Sequence, residues 1–457
     1  MGASASVEFD PLPMSPSQVK ETIPATVKDF EEFKKVIDTF GTLRRLEGYE
    51  TAIQMYETLK KDADPSWSFY EKVYPSIVRF ATAEGDSRFT LLRACKASSS
   101  PSVETGNVSR QKCLTVIANA VLGNIQNFTE GTRERKFGGL SLEAISGRRH
   151  TKVAPQRLLC FWDLFDQAAG WSDETLKEEI EVTRGWSRLA DSSLKLPSAV
   201  QLPHGSSEIQ WTSLDIPLVP VEAKRGGEEA VVVHEGAMED APPGAFVDFA
   251  NMQLHIGCVI PSATQEEVLF SACPELFCSL INVERLEDNE VVVFRNVKRV
   301  CAYKGYAESF QYDGKYEGPR MIEEVLAIDA CECDHFTQYN VLRDLGKAAL
   351  GFGLCEEKDI SSGAWGCGIF GGDRHFKFIQ QLCAARATGK RVHFSSFRNA
   401  EMKTDLQDIL ARLGRLGVTV GCACEWLLEC EAASVGQEGG PSFREFLLQK
   451  IVAMESN

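Results

Sequence analysis

From Val27 to Lys61 apolar residues recur at intervals of three and four (Phe30, Phe33, Val36, Ile37, Phe40, Leu43), the spacing that lines one face of a helix. The same period predicts helices over Phe69 to Thr82, Ser109 to Leu122 and Arg157 to Ala169, so the first half of the chain reads as mainly helical. Between Pro197 and Pro243 the texture changes to Pro, Gly and β-branched runs such as Ala230-Val231-Val232-Val233, which marks a boundary. Short apolar strands follow at Phe246-Val247-Asp248-Phe249, Val291-Val292-Val293-Phe294, Val325-Leu326-Ala327-Ile328 and Arg391-Val392-His393-Phe394. Helical patterns at Tyr339 to Ala349, His375 to Ala385 and Asp405 to Leu416 separate the later ones, and such alternation predicts an α/β layered domain. Pro11, Pro13, Pro16 and Pro24 stand among Ser residues without an apolar period, and residues 1–25 read as a flexible tail. The expected organisation is this tail, a helical domain over 26–200 and an α/β domain over 201–457. No repeat of 20 to 50 residues is present, which excludes solenoids and propellers.

Composition narrows the class. With 457 residues, 44% hydrophobic and 25% charged, the chain can bury a sizeable core. No run approaches the ~18 apolar residues of a membrane span, and the N-terminus lacks the layout of a secretory signal. A soluble protein of the cytoplasm or nucleus is expected. Met1-Gly2-Ala3-Ser4 begins a myristoylation pattern at Gly2, but Glu8 and Asp10 follow where a second, basic anchor would stand, and no membrane partner is expected. The fifteen cysteines include no Cys-x-x-Cys pair; Cys331/Cys333 and Cys422/Cys424 lack second halves, so buried thiols are expected and no metal. The net charge of −16 disfavours direct DNA binding, because phosphate contacts draw on clustered Lys and Arg. A polyanionic ligand would have to be recognised locally.

Two segments could carry chemistry. Val247-Asp248-Phe249-Ala250-Asn251 is followed, after thirteen residues, by Gln265-Glu266-Glu267. Adjacent carboxylates raise one another's pKa, as a general acid at neutral pH requires; alternatively, a Glu-Glu pair merely complements the dipole of a solvated helix start. The second segment runs from Gly363 to Asp373, with Gly366, Gly368, Gly371 and Gly372 opening a helix near His375. Such a loop can cradle phosphate with backbone N–H groups, or be a packing turn. Gly366-x-Gly368-x-x-Gly371 fits the dinucleotide fingerprint, but Ile360-Ser361-Ser362-Gly363 does not read as a strand. Arg398 and Asn399 stand where the ribose-binding acid would be, and a Rossmann dehydrogenase is not expected. Tyr303, Tyr306, Phe370, Phe394 and Phe397 could stack on a base or belong to the core.

In order and spacing these segments resemble the poly(ADP-ribose) glycohydrolase family. The matching stretches are Glu235-Gly236-Ala237-Met238-Glu239-Asp240, Val247 to Asn251, Gln265-Glu266-Glu267 with Phe270 and Pro274-Glu275-Leu276, Tyr303-x-Gly305-Tyr306-Ala307-Glu308, and Gly363-x-Trp365-Gly366-Cys367-Gly368-x-Phe370-Gly371-Gly372-Asp373. Phe69 to Val78 and Ala118-Asn119-Ala120 are similar to the family's helical accessory domain. The resemblance implies a macrodomain-like mixed sheet between helices, with the accessory helices beside it. It implies hydrolysis of the ribose–ribose O-glycosidic bonds of poly(ADP-ribose), on ADP-ribosylated proteins, without a cofactor. Glu267 would be acid and then base; Glu266 and Asn251 would hold ribose hydroxyls; Met238 and Glu239 would bound the adenine. Gln265 belongs to the signature, Gly257 to a diphosphate-binding glycine loop, Tyr306 would cover the ligand, Gly366, Gly368 and Phe370 would meet the diphosphate, and Phe394 would stack on the adenine.

Departures from the family bear on activity. His255-Ile256-Gly257 stands where the family has three glycines, and Ala364 where it has Asn. A β-branched residue disfavours positive φ, and a retained loop would carry roughly 1–3 kcal/mol of strain per misplaced residue. His255 could supply a charged contact to the diphosphate or only fill space. The alternative to an active hydrolase is therefore a binding module of the same fold that holds ADP-ribose or its polymer without cleaving it.

Overall fold

A computed structural model describes residues 7–95, 100–128, 137–147, 152–187, 199–203, 208–220, 230–318 and 322–456. The pattern at Gly2 lies outside them. An eight-stranded mixed sheet organises the chain: β1 (Ser102–Ser109), β2 (Glu179–Trp186), β3 (Val231–His234), β4 (Gly244–Ala250), β5 (Glu290–Arg295), β6 (Ile322–Asp329), β7 (Asp359–Ser362) and β8 (Arg391–Ser395), in the order β1-β2-β5-β6-β4-β7-β8-β3. From β6 to β3 every pair is parallel, with Leu326 opposite Val247, Ser361 opposite Phe246 and Phe394 opposite Val233. The β1-β2-β5-β6 side is antiparallel. The parallel strands need helical crossovers, and these flank the sheet: α6 (Gln265–Ala272) after β4, α7 (Gln338–Leu354) after β6, α8 (Arg374–Thr388) after β7 and α9 (Ala400–Arg415) after β8. The alternation of runs predicts an α/β layered domain and the resemblance implies a mixed sheet between helices, and the sheet with its flanking helices has both features.

The N-terminal part contributes α1 (Phe30–Asp38), α2 (Glu47–Lys61), α3 (Tyr74–Ala81), α4 (Arg110–Leu122) and α5 (Val153–Ala168). The predicted stripe from Val27 to Lys61 is two helices, interrupted at Gly41, whose φ of +67° ends the first turn of connection. Ser109 caps α4 through the backbone N–H of Lys112, as expected of a Ser at an N-cap. One buried apolar cluster runs from Leu12 to Ile451.

Three sequence readings are corrected. Residues 7–25 are not a free tail: Glu8–Phe9 pairs with Phe89–Thr90, Pro16–Thr22 is a helix with a Ser15 capping box, and Leu12, Val19 and Ile23 are buried. Pro16 occupies the first helical turn, where its missing N–H costs nothing, so the prolines here start structure instead of preventing it. Secondly, strands β1 and β2, from the N-terminal side of residue 200, complete the sheet. They are tied to it by buried charge: Arg184 pairs with Glu290 and donates to the carbonyls of Leu92 (3.1 Å) and Glu284 (2.6 Å). Removing one partner of such a buried pair costs about 3–5 kcal/mol. Thirdly, Asp359–Ser362 is strand β7. Its Ser side chains hide it from apolar pattern recognition, but Ser361 Oγ donates to the Met238 carbonyl (2.6 Å) and Ser362 Oγ to Gln381.

Candidate active site

All five parallel strands point their C-terminal ends the same way, and the residues singled out above follow those ends: Met238 and Glu239 after β3, Asn251 after β4, the Gly363–Asp373 loop after β7 and Phe397 after β8. Open α/β sheets bind ligands in this crevice, where loops meet helix N-termini. Thr264 precedes α6, and Glu267 is its third residue. Glu267 Oε2 accepts from the Thr264 backbone N–H (2.9 Å) and hydroxyl, so the sequence order Thr-Gln-Glu-Glu itself orients that carboxylate. Both hydrogen bonds fall on Oε2, and Oε1 has none among the described residues.

Glu266 and Glu267 are buried, unlike the pair on a solvated first turn considered above. Glu266 accepts from the backbone N–H of His255 (2.5 Å) and of Asn251 (3.3 Å). Gln265 clasps β4, accepting from the Phe249 N–H (2.7 Å) and donating to the Val247 carbonyl (3.0 Å), and so docks α6 against the strand end. A third carboxylate went unrecognised in the sequence. Asp248 projects from β4, fully buried, with no hydrogen bond to either oxygen. Burial and then the charge of Glu267 hold its pKa well above the usual carboxylate range; burial and then Asp248 do the same to Glu266. The signal was present as an acid interrupting an otherwise apolar buried strand.

Tyr306 is 42% exposed, and its phenol is held above its ordinary pKa by burial and by the charge of nearby Glu267. The Glu239 carboxylate accepts from the Tyr303 hydroxyl. Met238 is buried against Gly363. In the glycine loop, Gly366 and Gly371 both have φ near +71°, and a Cβ on Gly366 would come within 2.5 Å of Ala330. Asp373 caps α8 through the Phe376 N–H (2.9 Å). The half-buried Phe370 is anchored by its carbonyl, 2.7 Å from His335 Nε2, while Gly368 has open space above it. The loop therefore presents glycine backbone at a helix N-terminus, as an anion cradle requires, beside the exposed Ile369 side chain.

Phe394 does not do what the resemblance implied. It lies in the core, edge-on to Phe378 at 4.8 Å, with no face toward the crevice. Phe397, three residues on, is 52% exposed and sits 6.0 Å from the Tyr306 ring; the chain turns there through left-handed Phe397 and Arg398 (φ +47° and +61°). The altered loop keeps a glycine-like shape: His255, Ile256 and Gly257 have φ of +53°, +51° and +71°. His255 is buried against Phe270 and Phe277, and burial followed by the adjacent Arg157 charge pushes its pKa down to about 3. It fills space as a neutral ring and offers no charge to a diphosphate. Ile256 stands 45% exposed.

As expected, the cysteines are free thiols. Cys331, His335 and Asp344 do cluster, but the Lys377 ammonium already bonds Asp344 and lies 3.8 Å from the Cys331 sulfur, so a cation of the protein's own occupies the place a metal would take. Among the described residues no helix is long and apolar enough to cross a membrane.

Comparison with known proteins agrees with this geometry. Residues 221–404 match the family model described as poly(ADP-ribose) glycohydrolase, macro domain fold. The chain is 28% identical over 249 residues to poly(ADP-ribose) glycohydrolase 1 of Caenorhabditis elegans, covering 48% of this chain and 32% of that one. It is 25% identical over 305 residues to poly(ADP-ribose) glycohydrolase 1 of Arabidopsis thaliana, covering 49% and 56%. A probable poly(ADP-ribose) glycohydrolase 2 of Arabidopsis thaliana is 26% identical over 308 residues, 56% of each. The matches thus span from a third to a little over half of these relatives' length. Residues 221–404, with their parallel strand ends, paired buried glutamates and glycine loop, match the macro domain of the poly(ADP-ribose) glycohydrolase family.

Proposed function

We propose that the protein hydrolyses ribose–ribose O-glycosidic bonds of poly(ADP-ribose), releasing ADP-ribose. The observation that carries this reading is the pair of buried glutamates at the start of α6, with Glu267 bonded only through Oε2 and Glu266 held by two backbone N–H groups. In this reading Glu267 Oε1 delivers a proton to the leaving ribose oxygen as the C1–O bond breaks. Positive charge spreads over the ring oxygen and C1, and the nearby Glu266 carboxylate, turned by the Asn251 and His255 N–H groups, holds the ribose hydroxyls. Water then adds at C1 and returns its proton to Glu267. The products are ADP-ribose with a free anomeric hydroxyl and a polymer shorter by one unit. The diphosphate would lie on the Gly366–Gly371 backbone, and the exposed rings of Tyr306 and Phe397 would cover the nucleotide in place of Phe394.

One observation favours a second reading, a module that holds the polymer uncleaved. The exposed Ile256 side chain occupies loop space that a glycine leaves empty. The two separate in one experiment: purified protein and Glu267→Gln are incubated with poly(ADP-ribose) and free ADP-ribose is followed. Release by wild type and not by the variant supports the hydrolase. No release from either, with ADP-ribose still bound, leaves the binding module.

A further inference from the structure

Three consecutive left-handed residues form the loop that turns the His255 N–H onto Glu266, and two of them are not glycine. Such a backbone persists only where surrounding contacts over-determine it. The Gly139 N–H donates to the Gly257 carbonyl (3.0 Å), and the His255 side chain supplies further contacts. His255 Nδ1 lies 2.6 Å from the Cys258 carbonyl, and Nε2 lies 2.9 Å from Arg157 Nη2. A guanidinium only donates, so Nε2 accepts and the Nδ1–H donates to Cys258, which defines a neutral ring of one tautomer. The ring packs in a cluster with Phe270 and Phe277, at 5.2 and 5.3 Å, which lie 5.3 Å from one another.

Arg157 does not belong to the macro domain segment. It projects from α5, is fully buried, and its other nitrogens bond the carbonyls of Ile260 and Ser262 (3.1 Å for Ser262) and the Ser271 hydroxyl (2.8 Å). Ser271 in turn donates to the Glu267 carbonyl (2.7 Å) within α6. One guanidinium therefore ties together the strained loop, the segment leading into α6, and α6 itself. The charged groups around it are Glu266 and Glu267 of α6, with the Cys160 thiol on its own helix.

We infer that His255 and Arg157 are positioning residues for Glu266: their bonded pair holds the left-handed loop that a glycine would adopt unaided, and so makes the carboxylate's orientation depend on a helix of the N-terminal half. This rests on the hydrolytic reading of the Glu266–Glu267 pair. A backbone donor displaced by an ångström at such a site changes turnover by up to about a hundredfold, whereas mere space filling would register in stability alone.

The test compares His255→Ala and His255→Gly. Both remove the same ring and the same Arg157 contact, so a structural role would affect them alike; only glycine adopts positive φ freely. The expected result is kcat on poly(ADP-ribose) reduced about tenfold or more in His255→Ala and largely recovered in His255→Gly, at similar melting temperatures. Arg157→Lys, which keeps charge but not the fork, should fall with His255→Ala. Equal kcat for the two His255 variants, or a poorer glycine variant, would overturn the inference. If wild type releases no ADP-ribose, the hydrolytic reading fails by itself, and calorimetric affinity for ADP-ribose should still rank wild type and His255→Gly above His255→Ala. An independent reading on unaltered protein uses 15N NMR: the His255 ring should be neutral and Nδ1-protonated at every pH from 5 to 8, a range set roughly by the histidine reference value. Titration of the ring near its ordinary value would refute the brace even if the variants failed to fold.

Discussion

Replacing His255 by Asn should flatten the acid side of the stability profile. In the fold the imidazole is buried, accepts from Arg157 and is pushed down to about 3 from an ordinary 6.5. An unfolded chain therefore binds a proton at this residue below pH 6.5 that the folded chain refuses, and stability is lost as the pH falls from 6.5 toward 3. Each pH unit in that window is worth about 1.4 kcal/mol, so the loss by pH 5 is about 2 kcal/mol, rising to about 5 kcal/mol at the lower end. Asp248 and Glu266 work in the opposite sense. Their pKa values are raised, so the folded state gains relative stability as they take up protons on acidification. Asn tolerates a left-handed backbone and does not titrate, and the opposing carboxylates are common to both proteins. The quantity to measure is the difference in urea-unfolding free energy between wild type and His255→Asn at half-unit steps from pH 8 to 5. Wild type should lose about 1.4 kcal/mol per unit relative to the variant below pH 6.5 and nothing above it. Parallel curves would refute the neutral, buried acceptor.

Asp248→Asn should become progressively more stable than wild type as the pH rises above the ordinary aspartate range near 3.8, because the carboxyl ionises freely in the unfolded chain while burial without a partner opposes its ionisation in the native protein; chemical denaturation at pH 5 and pH 8 measures it, and an unchanged difference would count against a raised pKa. Phe397→Ala should weaken ADP-ribose binding by roughly 0.5–1.5 kcal/mol, the worth of an aromatic contact, while leaving the melting temperature unchanged. Phe394→Ala should instead cost about 3–5 kcal/mol of stability, since the ring is fully buried against Phe378; calorimetry and thermal melts on both variants would expose an exchange of roles. Gly366→Ala should abolish ADP-ribose binding in a folded protein, because φ of +71° and the 2.5 Å approach to Ala330 force the loop to move; binding at wild-type affinity would remove the loop from the site.

The amino-acid order alone determined the layered α/β class, because apolar runs of β-branched residues separated by helical periods have few ways to bury both faces. It also carried the two candidate segments, since Thr264 and Glu267 bond within one helical turn and the loop from Gly366 to Asp373 takes its shape from its own glycines. What it left undecided depends on contacts between distant residues. Strand Asp359–Ser362 is stabilised by hydroxyl bonds to Met238 and Gln381, which no apolar period signals. Which phenylalanine faces the crevice was settled by packing on Phe378 and by two left-handed residues after β8. The burial that perturbs Asp248 and Glu266 exists only once α6 closes on β4. Likewise His255 and Ile256 read as an obstacle to the glycine-loop shape until a guanidinium 98 positions away in the chain was found bonded to the ring. Local order specifies helix starts and turns, whereas a strained backbone and a shifted pKa are properties of the assembled surroundings, where low dielectric and over-determined contacts arise.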